Sequence, residues 1–317
     1  MAPGRKTEAL GQRTRPRGRE AGRRRSQGER QAGRGRELTE FRKNYTISKA
    51  KVLIFSEGGT EMVSHVIVRR PCKEMVQGIT SSPELGRPDY EKALAQHDAY
   101  IAALKSCGVD VVVLEADERY PDSCFVEDPA VVTEKCAIIT NPGAPSRNGE
   151  KEEIVGALRC FYPEDKIEYL REPGTLEGGD VMRVGDHFYI GQSARTNREG
   201  IGQFLAILEK YGYTGSAVPL KEVLHLKTGI NYLGDGIMLA SGEFVDRPEF
   251  AAFRQIIVPK EEAYASNCLN INGKLIAPAG FPVMEKTLRD LGYEVILVDT
   301  SEFRKIDGGL SCLSLRF

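Results

Sequence analysis

Near the C-terminus, the segment Ile306-Asp307-Gly308-Gly309-Leu310-Ser311-Cys312 presents one cysteine just beyond a glycine pair. Glycines let the backbone turn sharply and let another molecule come close. Such a cysteine is either a buried member of a terminal strand, the commoner fate of a free thiol, or a nucleophile. A nucleophile needs a histidine and carboxylates supplied from elsewhere in the chain.

Four histidines compete for the role of base. His65 begins a strand, His97 sits beside Gln96 on a helix, and His187 lies in a Gly-Asp-His turn, so all three read as structural or surface residues. His225 differs. In Val223-Leu224-His225-Leu226-Lys227 a strand would put Leu224 and Leu226 on the packed face and project His225 and Lys227 from the other. A satisfied core histidine is the competing reading.

The carboxylates fall in two groups. Asp122, Glu127 and Asp128 lie within seven residues of a loop leading to a strand. They form either a solvated acidic loop or a cage for a cation such as a guanidinium, whose five N–H donors carboxylates match. Phe125 and Val126 would keep such a cage dry. Glu177 and Asp180 flank Gly178-Gly179, which marks a hairpin entry or lets Glu177 accept a hydrogen bond from a histidine or a substrate. Arg147 and Arg195 each sit at the start of a helix, where free N–H groups favour anions. Two arginines so placed suggest a carboxylate or phosphate clamp, against the alternative of solvated surface residues.

The elements that must position these groups alternate in type. Strands at Val66–Val68 and Val109–Leu114 bracket a long loop from Pro71 to Pro88 and a helix capped by Asp89 and stopped by Gly108. A loop that long in a compact domain is usually a lid or a binding loop. Strand pairs then recur near 130–140, 181–190, 224–240 and 267–277, with helices from Arg147, Glu199, Pro248 and Pro282. Five strand-rich units with one helix each, spaced by roughly 40 to 60 residues, predict an α/β protein of radial or stacked repeats. Radial strands would aim their linking loops at a central channel.

Composition narrows the classes. The chain has 317 residues, 41% of them hydrophobic, enough for one large domain or two small ones. No apolar run approaches a membrane span, and the first forty residues contain no apolar core of a secretory signal. Seven cysteines with no C-x-x-C pair argue against a disulfide framework or zinc ribbon and predict a cytoplasmic, reducing setting. There is no H-E-x-x-H, P-loop or G-x-G-x-x-G signature. Residues 1–43 hold 14 Lys/Arg and 5 Glu, which leaves 30 basic against 40 acidic residues in the remainder. An acidic body steers cationic partners. The stretch 1–61 reads as a disordered basic extension, with the functional start expected near Met62. A nucleic-acid arm is disfavoured, since no aromatic is interleaved with the arginines.

Each signal is weak alone, but their order is specific. Phe-Val-Glu-Asp, Pro-Gly-Ala-Pro-Ser-Arg, Leu-Glu-Gly-Gly-Asp, Ala-Arg-Thr-Asn, Leu-His-Leu-Lys and Asp-Gly-Gly-Leu-Ser-Cys follow one another along 62–317. The set resembles the dimethylarginine dimethylaminohydrolase family of the guanidino-group-modifying (pentein) superfamily, above all its short bacterial members. The resemblance implies a five-bladed α/β propeller around a central active site. It implies Cys312 as nucleophile, His225 as the proton-transfer residue, and Glu177 as the carboxylate that holds the histidine and the guanidinium. Asp122, Glu127 and Asp128 then match substrate-binding acids, and Arg147 and Arg195 match the grip on an α-carboxylate. Ile79 and Ile306 match positions that meet the substrate through backbone. The implied reaction is hydrolysis of methylated arginine to citrulline, with no cofactor, no metal, no nucleic acid and no membrane, in a possible homodimer. Arginine deiminase is the nearest rival; it is longer and usually basic where this chain has Glu127. A non-catalytic arginine-binding protein is the rival from another class.

Overall fold

Short apolar runs separated by tight turns assemble, in the computed structural model of this chain, into five three-stranded sheets; the structure describes residues 62–317. The expectations for 1–61 lie outside the described residues. Four sheets repeat one plan: an antiparallel hairpin, a connection, then a third strand parallel to the middle one. They are β3 (Ala130–Val132), β4 (Ala137–Ile139) and β5 (Ile167–Tyr169); β6 (Val181–Val184), β7 (His187–Gln192) and β8 (Thr214–Pro219); β9 (Ile230–Gly234), β10 (Ile237–Ala240) and β11 (Arg254–Ile257); and β12 (Leu269–Ile271), β13 (Lys274–Pro278) and β14 (Glu294–Val298). Asp235-Gly236 and Asn272-Gly273 turn two of the hairpins with φ of 50° and 73°, and 53° and 84°, the left-handed pairs that two-residue hairpin loops demand.

The fifth sheet closes the ring. Strand β1 (His65–Arg69) runs parallel to β2 (Asp110–Leu114) and antiparallel to β15 (Leu315–Arg316). The Phe317 carbonyl accepts from Ser64 N and His65 N at 2.9 and 2.7 Å. The two ends of the described chain therefore share one blade, and Cys312 sits three residues before the closing strand.

Among the described residues, six α-helices lie between the sheets: α1 (Tyr90–Ser106), α2 (Lys151–Leu158), α3 (Arg198–Lys210), α4 (Leu226–Gly229), α5 (Pro282–Asp290) and α6 (Ser301–Arg304). Asp89 and Asn197 cap α1 and α3, accepting from Lys92 N and Gly200 N. Helix α3 buries Ile201, Phe204 and Leu208 against Phe188 and Ile190 of β7. Each such side chain contributes about 1.5–3 kcal/mol on burial.

The five-unit radial plan is as the sequence implies, with local differences. Val223 to Lys227 is not a strand: His225 is extended at φ −135°, ψ 156°, and Leu226 opens a helical turn. The cause is the Asp180 carboxylate, which accepts from Leu226 N at 3.0 Å and bends the chain inward. The helix from Arg147 begins as a 3₁₀ stretch, Pro145–Glu150, and the helix after Pro248 is a 3₁₀ turn only. Strands β5, β9 and β11 carry too few residues or too mixed a pattern to stand out in sequence.

Candidate active site

Two cavities are lined in part by neighbouring residues of the chain, Glu127 and Gly178 on one, Asp128 and Glu177 on the other. The larger, about 530 Å³, is lined by residues of β3, β6, β9, β12 and β15, so it is the channel that the ring encloses. The smaller, about 30 Å³, is lined by Ile79, Asp122, Phe125, Asp128, Arg147, Glu177, Arg195, Leu224, His225, Ile306, Asp307, Gly308 and Cys312. The chain thus gathers nine of the ten residues singled out from sequence on one small cavity.

The tenth, Glu127, faces the other way. Its carboxylate lines the large channel, where it accepts from Lys227 Nζ at 2.5 Å, Arg316 Nη2 at 2.5 Å and Ser311 Oγ at 2.9 Å. The two residues Glu127 and Asp128 follow one another in a turn, where Asp128 N donates to Phe125 O at 3.3 Å, and their carboxylates line different cavities. Two cations hold Glu127 there, behind the cysteine rather than beside a ligand.

Cys312 is half-buried, whereas the other six cysteines are buried. Its turn is pinned from several sides. Tyr100 Oη donates to Leu310 O at 2.9 Å, Tyr264 Oη to Gly308 O at 2.8 Å, and Ser311 N to Asn267 Oδ1 at 2.8 Å. Gly308 is needed for close packing: a Cβ there would lie 2.2 Å from the Phe125 ring.

Glu177 joins the catalytic candidates. Its Oε2 lies 2.8 Å from His225 Nε2, and its Oε1 accepts from Ala144 N at 3.2 Å and lies 3.6 Å from Arg195 Nη1. The imidazole rests against Gly179, where an added Cβ would come within 2.7 Å of Nδ1. Of the glycine pair noticed in sequence, Gly179 is therefore a seat for the histidine, while Gly178 packs against the Glu127 carbonyl.

Asp180 ties the pieces together, a role without a signal in sequence beyond its place after Gly178-Gly179. Fully buried, it accepts from Ser193 Oγ and Thr196 Oγ1 at 2.6 Å each and from Leu226 N at 3.0 Å. One carboxylate so fixes the loops that carry Glu177, Arg195 and His225. Asp128 has a similar bridging place, accepting from Gly179 N at 3.1 Å and Arg147 Nη1 at 2.6 Å.

The two arginines differ. Arg147 is buried and its guanidinium is largely engaged by Asp128, by both oxygens of Glu150, and by the carbonyls of Asp122 and Phe125. Arg195 is more open, with a side chain 19% exposed. Asp122 accepts from the lid backbone at Ile79 N, 3.0 Å away, and burial pushes its carboxyl above the usual range.

Charge state follows from these neighbours. Burial opposes a charged His225, but the hydrogen bond to Glu177 and the fields of Asp128 and Asp180 prevail and raise it to about 9. Burial likewise opposes ionised Glu177, yet His225, Arg147 and Arg195 hold it down to about 2. Burial, then Glu127 and Asp128, push the Cys312 thiol up to about 12, against the milder pull of Gly309 N–H and Lys227. With the cavity empty at neutral pH, the pair is a neutral thiol and an imidazolium. Ligand atoms of Asp128, Glu177 and His225 lie within 4.8 Å of one another, a spacing that suits a cation, whether a metal ion or the edge of a planar guanidinium.

Over most of its length the chain is similar to known proteins of one family. A family model for eukaryotic N,N dimethylarginine dimethylhydrolase matches residues 87–277. The N(G),N(G)-dimethylarginine dimethylaminohydrolase of Pseudomonas aeruginosa is 58% identical over 256 residues, which span 81% of this chain and all of that protein. The enzyme of the same name from Streptomyces coelicolor is 38% identical, over 79% of this chain and 95% of its own. A solved structure of the Pseudomonas protein, a cysteine-to-serine mutant complexed with citrulline, superposes with a TM-score of 0.79 at 57% identity, covering 81% and 100% of the two chains. The N-terminal domain of a cyanobacterial arginine dihydrolase shares the fold at a TM-score of 0.71 and 20% identity, over 80% and 97%.

Proposed function

The chain belongs to the dimethylarginine dimethylaminohydrolase family, and on that premise we propose that it hydrolyses N-omega-methylated arginine to citrulline and a methylamine. The observation that carries the reading is one small cavity shared by a half-buried cysteine, an imidazole, four carboxylates and two arginines.

Binding comes first. Asp128 and Glu177 face the planar guanidinium, which offers N–H donors to both. Arg195 takes the α-carboxylate, while Arg147, already held by Asp128 and Glu150, contributes mainly its field. Asp122 and the lid backbone at Ile79 receive the α-ammonium, with Ile306 backbone opposite. Phe125 and Leu224 supply the apolar walls.

Chemistry follows from the charge states. The bound guanidinium offsets the carboxylates that keep Cys312 protonated, so binding releases the thiol proton to solvent. The thiolate attacks the guanidinium carbon and forms a C–S bond. His225 donates its proton to the departing nitrogen as the C–N bond breaks, leaving a thiouronium on Cys312. The now neutral His225 takes a proton from water. The resulting hydroxide adds to the same carbon; collapse breaks the C–S bond and expels the thiolate, and the hydroxyl proton passes to that sulfur or to solvent, which leaves neutral citrulline and a protonated His225. Glu177 holds the imidazole in place and favours its charged form throughout. Glu127 acts from behind, through Ser311 and its field, rather than on the substrate.

A citrulline colour assay with arginine, monomethylarginine and asymmetric dimethylarginine tests this. Turnover of the methylated substrates well above arginine, abolished by Cys312→Ser, is expected. Faster turnover of plain arginine would make the protein a deiminase, and no turnover of any would leave a binding protein.

A further inference from the structure

The segment between β1 and α1 covers the small cavity, and it is tied down at named points. Ile79 N donates to Asp122 Oδ1 at 3.0 Å. Ser81 donates twice to one carboxylate, from N to Asp307 Oδ2 at 2.6 Å and from Oγ to Asp307 Oδ1 at 3.0 Å. Lys305 Nζ reaches Arg87 O at 3.3 Å, and Asp89 N reaches Glu302 Oε2 at 2.8 Å. Most of these anchors stand on one short piece of chain, 302–307, which leads directly to the turn of Cys312.

Asp307 is singular among them. Ile306, Asp307 and Gly308 all line the cavity, so this residue touches both the covering segment and the cavity wall. Its φ is 60°, one of four left-handed non-glycine positions among the described residues, a conformation that aspartate and asparagine accept more readily than other side chains. The cavity, at about 30 Å³, has room for a water or two and none for an amino acid of arginine's length. Entry of such a ligand therefore needs part of the lining to move, and the covering segment meets the cavity wall at Ile79 and is tied to it through Asp307.

We propose that Asp307 is a positioning residue that latches the lid through Ser81, so that the strength of this contact sets how firmly substrate is enclosed. The latch rests on the reading of the cavity as the substrate site, but its first readout needs no turnover.

Asp307→Asn keeps a side chain that tolerates the left-handed backbone and removes the charge. Ser81→Ala removes only the hydroxyl donor, on an exposed loop where folding is not at stake. Glu84 at the exposed tip of the lid gives a cleavage site for a glutamate-specific protease. In the holo-sized, full-length chain, Asp307→Asn is expected to be cut there about fivefold faster than wild type, and Ser81→Ala by a smaller factor. KM for the methylated substrate is expected to rise about five- to tenfold in Asp307→Asn, with kcat unchanged or higher. Unaltered cleavage and KM in both variants would overturn the latch, as would a fall in kcat at constant KM, which would assign Asp307 to the cysteine turn alone. Faster cleavage with no citrulline formed by any variant or by wild type would uphold the latch and remove the reaction.

Discussion

At the scale of single residues, the account turns on two proton affinities that lie the wrong way round for a simple thiolate–imidazole pair. His225 is raised to about 9 and Cys312 to about 12, so the attacking form is scarce until a cation arrives. Thiolate absorbance followed against pH should show a titration that moves down when a guanidinium ligand is present; identical curves with and without it would rule out the coupling. The same affinities predict how stability responds to pH. His225 has its folded value above the ordinary 6.5, so its contribution is complete below about 6.5 and is lost as pH rises through about 9. Its size is about 3 kcal/mol. Cys312, also raised, extends the alkaline decline above its ordinary value of 9.0. Glu177, held down to about 2, gives stability present above 4.5 and lost as pH falls through 2. A pH series of melting temperatures should decline from neutral toward pH 10 in wild type and decline less in His225→Gln. The candidate chemical residues were legible in sequence through the order of their motifs along 62–317, since each residue alone has a common structural use. Glu127 was legible as an acid but not by its direction, because the turn that holds it has no periodicity from which a side-chain direction could be read.

Elements, rather than residues, decide whether those groups meet. The loop after Glu177 has glycines because the His225 ring lies against Gly179. Gly179→Ala should therefore fold but displace the imidazole, lowering kcat by about two orders of magnitude with a smaller change in KM. Asp180 holds three loops through Ser193, Thr196 and Leu226. Asp180→Ala strands two buried donors, Thr196 Oγ1 and Leu226 N, at about 1–3 kcal/mol each, along with the half-buried Ser193 hydroxyl, so we expect a loss on the order of 3 kcal/mol in urea unfolding and loss of activity beyond what unfolding explains. An unchanged midpoint would mean that the loops are held by packing alone. Sequence periodicity located the hairpins and long helices, since these obey local rules of alternation and capping. It misassigned 223–227 as a strand, because the turn there is imposed by a carboxylate 46 residues away. Tertiary contacts of this kind leave no trace in local pattern.

The whole molecule is a ring closed by its last strand. Five sheets put β3, β6, β9, β12 and β15 around a central channel, and the site is a second, smaller cavity lined by the loops between the strands. The count of five was readable from the spacing of strand clusters, whereas the closure of β15 on β1 was not, because two residues make no periodicity. Removing Leu315–Phe317 would cost the β1 pairing, the burial of Leu315 and the Arg316 contact with Glu127. We expect a loss of about 5 kcal/mol, or roughly 10–20 °C in Tm, and an inactive protein because Cys312 loses its support. Among the described residues no helix is long and apolar enough to cross a membrane. The central claim is that the ring brings Cys312 to a guanidinium carbon, and an acid-quenched turnover mixture tests it by mass spectrometry. The account predicts an adduct of substrate minus its methylamine on the peptide that contains Cys312, absent from Cys312→Ser. Citrulline formed with no such adduct, or an adduct on a different residue, would contradict it.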